Sequence, residues 1–151
     1  WALTGCGANV ILCGPTSLLP EDFENFVDSP PPGQKHDHIK QRGKITIERS
    51  LEKTLKQVDA VITLRLQKER MRENLITDID SYHRDYGLTH EKLKYCEKKV
   101  AVLHPGPVNR GIELSSQIVE DTSISLIDQQ VTNGIPIRMA LLYLITASNN
   151  R

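Results

Sequence analysis

Two short stretches combine residue types that could do chemistry together: Arg65-Leu66-Gln67-Lys68-Glu69-Arg70 and His104-Pro105-Gly106-Pro107. The guanidinium of Arg65 offers a fork that clasps a carboxylate with two parallel hydrogen bonds, and the amide of Gln67 can both donate and accept. Pro105 and Pro107 restrict the backbone on either side of Gly106, so the carbonyls there are held outward as fixed acceptors. Acceptors beside an Arg clamp suit a small molecule that carries both N–H donors and carboxylates. That predicts a binding site. On local grounds two plainer readings stay open. Arg65 could pair with Glu69 or Glu73 at the surface, and Gly106 between prolines could be only a tight turn.

A self-contained catalytic apparatus is not legible. The chain carries no G-x-S-x-G elbow, Walker loop or glycine-rich dinucleotide fingerprint, and no cradle for a phosphate. No cofactor is expected. Cys6, Cys13 and Cys96 are an odd, widely spaced set without a CxxC, which fits reduced thiols better than a disulfide frame or a zinc site. Cys13 reads as core filling, since nothing is visibly placed to activate its thiol. His36-Asp37-His38 offers two ligands in a polar loop where structural zinc needs four, so no metal site is expected. Arg138 lies in a run that is apolar nearly all round and needs a partner; an acid within the domain is favoured over the substrate pocket.

Lys and Arg number 19 and so do Asp and Glu, leaving no cationic surplus for nucleic acid. No stretch reaches the length of a membrane span and no signal peptide precedes the core, which points to a cytoplasmic protein. The opening Trp1-Ala2-Leu3-Thr4-Gly5-Cys6-Gly7 reads as the end of a helix closed by glycine, as if an upstream part were missing.

The elements that must position these residues follow from periodicity. Asn9 to Gly14, Lys44 to Glu48, Asp59 to Leu64 and Lys99 to Leu103 read as strands, with a fifth short one near Ser123 to Ile127. Helices are expected at a Pro20-Glu21-Asp22 start, after a Ser50 cap through Leu51, Leu55 and Val58, near Asp80 to Tyr86, after a Thr89 cap, and around Leu114 to Val119. A last helix should run from about Gln129 or Ile135 to Ala147, with Pro136 in its first turn. The stretch from Pro30 to Arg42 reads as a surface loop. Strands alternating with helices predict an α/β fold: one domain over residues 1–151, with a doubly wound, mostly parallel, Rossmann-like sheet of about five strands and helices on both faces. In such a sheet ligands bind outside the carboxyl ends of the strands, where both stretches fall.

Those stretches also carry a resemblance. Leu64 to Met71, His104-Pro105-Gly106-Pro107-Val108-Asn109-Arg110-Gly111, Gln129 to Ile135 with Arg138 to Leu142, and Gly14-Pro15-Thr16-Ser17-Leu18-Leu19-Pro20 together resemble aspartate carbamoyltransferases, in the right order and across essentially the whole chain. The resemblance implies transfer of a carbamoyl group from carbamoyl phosphate to the amine of L-aspartate, in pyrimidine biosynthesis. It implies that Arg65 and Gln67 hold aspartate. It also implies that the backbone of Pro105, Gly106 and Pro107 holds the carbamoyl group, and that Lys68, Glu69, Arg70 and Arg138 support the site or its closure. The family's phosphate-binding Ser-Thr-Arg-Thr motif and catalytic His lie in an N-terminal domain that this chain does not contain, and His104 is not that His. A further aspartate-gripping Arg and a residue pair from a neighbouring subunit are likewise outside the chain. The implied whole is a homotrimer with sites between subunits, open to regulatory or pathway partners, and the fragment alone is expected to be inactive. Two alternatives stand beside this. An ornithine carbamoyltransferase shares the fold but carries a Cys inside the loop equivalent to His104-Pro105-Gly106-Pro107, and a non-catalytic small-molecule module could keep the fold without chemistry.

Overall fold

The computed structural model describes residues 2–23, 43–67 and 78–148. Helix α1 (Ala2–Gly5) closes as its glycines suggest: Gly7 takes a φ of 87°, the Ala8 amide reaches back to the Leu3 carbonyl at 3.0 Å, and the Gly7 amide to that of Thr4. Strand β1 (Val10–Cys13) pairs in parallel with β2 (Ile45–Glu48), with Val10 opposite Ile45 and Cys13 opposite Glu48. Helix α2 (Leu51–Leu55) starts where the Ser50 hydroxyl accepts from the Lys53 amide. It ends one turn sooner than expected, and Val58 joins the core from the turn that follows.

Strand β3 (Ala60–Ile62) pairs in parallel with β4 (Ala101–Leu103). Between them lie α3 (Ile79–Tyr86), capped by Asp78, and α4 (His90–Leu93), capped by Thr89. The Lys92 ammonium donates to the carbonyls of His83, Arg84 and Gly87 at 3.2, 2.7 and 2.7 Å, placing a cation on the carbonyl end of α3. Helix α5 (Ser116–Glu120) follows, and the chain ends in α6 (Ile127–Ser148).

The α/β fold with parallel strands is as expected; the sheet is less continuous. Among the described residues the four strands form two separate parallel pairs. The fifth strand is a single bridge, in which the Val102 amide donates to the Ile124 carbonyl and the Leu126 amide to the Val102 carbonyl. Three residues there are taken up by the turn over 122–124, which leaves too little chain for a ladder. Leu55, Leu88, Val102, Leu114, Ile118 and Ile127 form the core, packing α2, α5 and the start of α6 around β4.

The final helix differs more. It begins at Ile127, so Pro136 sits in its interior rather than in its first turn. An interior Pro removes one hydrogen bond, at a cost of about 3 kcal/mol. Thr132, four residues before it, is exposed, so water can take the carbonyl that is left over. From Ile135 to Ile145 the large apolar side chains of α6 stand more than half exposed. Among the described residues no helix is long and apolar enough to cross a membrane.

Candidate functional site

Strands β1, β3 and β4 all deliver their carboxyl ends to one cavity of about 880 Å³. Its wall includes Gly14 and Pro15 after β1, Thr63 to Gln67 after β3, and Pro105, Gly106 and Pro107 after β4. The structure therefore brings Arg65, Gln67 and the three loop residues around a single space. Arg65 is half-buried, Leu66 buried and Gln67 exposed, so alternate side chains anchor the segment and face the opening.

The β3 exit is tied to β4 by the Thr63 amide, which donates to the Leu103 carbonyl at 3.0 Å, and by the Asn109 side-chain amide, which donates to the Leu66 carbonyl at 3.0 Å. Gly106 has a φ of 72°, a conformation that favours glycine, and a Cβ there would meet Val131 Cγ2 at 3.2 Å. The Gly106–Pro107 peptide is cis. The Gly106 amide donates to His104 Nδ1 at 2.8 Å, and Nε2 of the same ring lies 3.3 Å from Glu113 Oε1. Both side chains are buried. Burial pushes the His104 imidazole below its usual range, against the opposing pull of Glu113.

Other predicted residues fall elsewhere. Lys68, Glu69, Arg70 and the His36-Asp37-His38 loop lie outside the described residues. Arg138 is exposed on α6 beside Gly134 and is not among the residues lining the cavity; among the described residues no acid pairs with it. The described residues include no group of three or more potential metal ligands. Cys13 lies on the cavity wall, with burial first among the causes that raise its thiol pKa.

The sequence reading missed Tyr82, Tyr86 and Glu113, which also line the cavity. The two tyrosines stack 5.7 Å apart at an i,i+4 spacing on α3, and the Tyr86 hydroxyl donates to the Arg49 carbonyl. Burial, then the charge of Glu113, raises the Tyr82 hydroxyl pKa. The i,i+4 aromatic pair was a usable signal. Glu113 gave none, because a lone acid between Ile112 and Leu114 reads as the solvent face of an alternating stretch.

Residues 2–145 match the Asp/Orn binding domain of aspartate/ornithine carbamoyltransferases. The chain belongs to that family. An aspartate carbamoyltransferase catalytic subunit from Prochlorococcus marinus is 68% identical over 150 residues, covering 99% of this chain and 44% of the relative. The aspartate transcarbamoylase of Trypanosoma cruzi, solved with carbamoyl phosphate, superimposes with a TM-score of 0.55 at 26% identity, over 67% of this chain and 31% of that one. The anabolic ornithine carbamoyltransferase of Campylobacter jejuni gives 0.58 at 25% identity, over 72% and 35%. Fold similarity therefore does not separate the two carbamoyltransferase branches, whereas the sequence match to the Prochlorococcus subunit falls on the aspartate side. The chain spans less than half the length of that carbamoyltransferase subunit.

Proposed function

We propose that this chain is the aspartate-holding half of an aspartate carbamoyltransferase and acts as part of a longer, two-domain polypeptide. The observation that carries the reading is the meeting of Arg65 and Gln67 with the Pro105-Gly106-Pro107 backbone around one cavity at the strand carboxyl ends. In this reading Arg65 clasps an aspartate carboxylate and Gln67 supports the same molecule. The carbonyls around Gly106 accept from the carbamoyl N–H groups, and their fixed conformation means that they need not reorganise during reaction. The aspartate amine attacks the carbamoyl carbon, a C–N bond forms, the C–O bond to phosphate breaks, and the amine loses a proton. Orientation of the two reactants supplies much of the acceleration.

The phosphate-holding groups belong to the part of the protein beyond this chain, as the length of the Prochlorococcus relative suggests. The same part would cover the apolar flank of α6, whose exposed Leu141, Leu142, Leu144 and Ile145 make a patch that soluble proteins rarely leave bare. Lys68, Glu69, Arg70 and Arg138 would then act in support or closure, in a cytoplasmic trimer serving pyrimidine synthesis.

The test is Arg65→Ala in the longer protein. Loss of a charge-assisted, two-point contact of about 1.5–3 kcal/mol should raise the aspartate KM by about 10- to 150-fold. An unchanged aspartate saturation curve would remove Arg65 from the site.

A further inference from the structure

The two halves of the cavity wall are joined through a pair of buried titratable side chains that the substrate contacts do not require. His104 is 0% exposed and Glu113 2%. The imidazole Nδ1 accepts the Gly106 amide proton at 2.8 Å, so its lone pair lies there and the ring proton is on Nε2. Nε2 lies 3.3 Å from Glu113 Oε1, within ion-pair range, and has no hydrogen-bond partner among the described residues. Glu113 Oε1 in turn accepts from the Asn109 amide at 2.6 Å, and the Asn109 side chain donates to the Leu66 carbonyl at 3.0 Å. Leu66 lies between Arg65 and Gln67.

We infer that His104 and Glu113 are positioning residues, which set the tautomer and the spacing that hold the Gly106 loop in register with the Arg65–Gln67 segment. The inference rests on the proposed function only for what is bound; the linkage itself runs Gly106, His104, Glu113, Asn109, Leu66. A buried acid and imidazole without such a task would be a poor choice, because burying either costs more than an apolar pair of equal size. Glu113 is anchored from the other side as well. Its backbone carbonyl accepts from the Leu88 amide at 2.9 Å, and the carbonyl of the preceding Ile112 lies 2.8 Å from His83 Nδ1. The linkage is therefore fastened to the core rather than to another loop.

The experiment compares Glu113→Gln, Glu113→Leu and Asn109→Ala in the longer protein. Steady-state kinetics is one readout, and hydrogen exchange of a peptide spanning residues 104–109 is the other. Gln keeps the oxygen that faces Asn109 and His104, so Glu113→Gln should stay within about threefold of wild type in both. Leu removes the acceptor, and Asn109→Ala cuts the tie to Leu66 without touching the buried pair. Both should raise the aspartate KM about tenfold with kcat less affected, the size expected from losing one or two hydrogen bonds. Glu113→Leu should also speed exchange of the Gly106 amide at least tenfold. Asn109→Ala keeps the linkage testable if the Leu variant fails to fold. Unchanged kinetics and unchanged exchange in a folded Asn109→Ala protein would overturn the inference, as would Glu113→Gln behaving like Glu113→Leu. If the wild-type protein does not carbamoylate aspartate while Glu113→Leu still accelerates Gly106 exchange, the functional reading fails and the linkage stands.

Discussion

Gly106→Ala isolates what the conformation of the central loop is worth. Gly106 holds a φ of 72°, where an L side chain pays about 1–2 kcal/mol. The new methyl would stand 3.2 Å from Val131 Cγ2, closer than ordinary van der Waals contact, and Val131 is a stiff β-branched residue fixed on α6. Crowding of that degree adds about 1 kcal/mol. The expected loss is therefore about 2–3 kcal/mol, or a fall of roughly 4–12 °C in Tm for a chain of this size. Urea denaturation followed by far-ultraviolet circular dichroism measures it, and a cycle with Val131→Ala divides it. The double variant should recover the crowding part and leave the backbone part, so the coupling should be about 1 kcal/mol. A loss below about 0.5 kcal/mol in Gly106→Ala would refute the reasoning, because the backbone penalty alone exceeds it.

Four further outcomes are expected. Pro136→Ala should increase helical ellipticity and stabilise the chain by about 1–2 kcal/mol, since Pro136 interrupts α6 from within; a loss of stability would return Pro136 to a helix start. Lys92→Met should cost about 1–2 kcal/mol in urea denaturation, because three carbonyls at the end of α3 lose one ammonium donor. The His104 pKa is lowered in the fold by burial, so the unfolded chain takes up the proton first and stability falls as pH drops below about 6.5. Glu113, facing the ring, opposes this, and Tyr82 on α3 stays neutral throughout that range. Denaturation midpoints at pH 7.5 and 5.5 should therefore converge in His104→Asn relative to wild type. Leu142→Asp should change the isolated chain by less than about 0.5 kcal/mol, since Leu142 is 64% exposed, yet cost the longer protein 2 kcal/mol or more in thermal denaturation if α6 is covered there.

By itself the sequence determined the element types and singled out the two stretches proposed to form the site. Runs such as Val10-Ile11-Leu12-Cys13 and Ala101-Val102-Leu103, split by capped polar segments, allow little besides buried parallel strands. Arg65, Gln67 and the Pro-Gly-Pro loop were legible as candidates because guanidinium forks and bracketed glycines are rare local chemistry. Pro136 misled, because a local rule about helix starts was outweighed by apolar packing at Ile127, which set the helix start nine residues before Pro136. Only the tertiary structure decided that the two stretches share one cavity, since β3 and β4 are brought together by pairing across about forty residues. It also decided the surroundings of Glu113. An acid's partners are set by what surrounds it when water is excluded, and the neighbours here, His104 and Asn109, are local in sequence but meet it only once the loop has closed over the core.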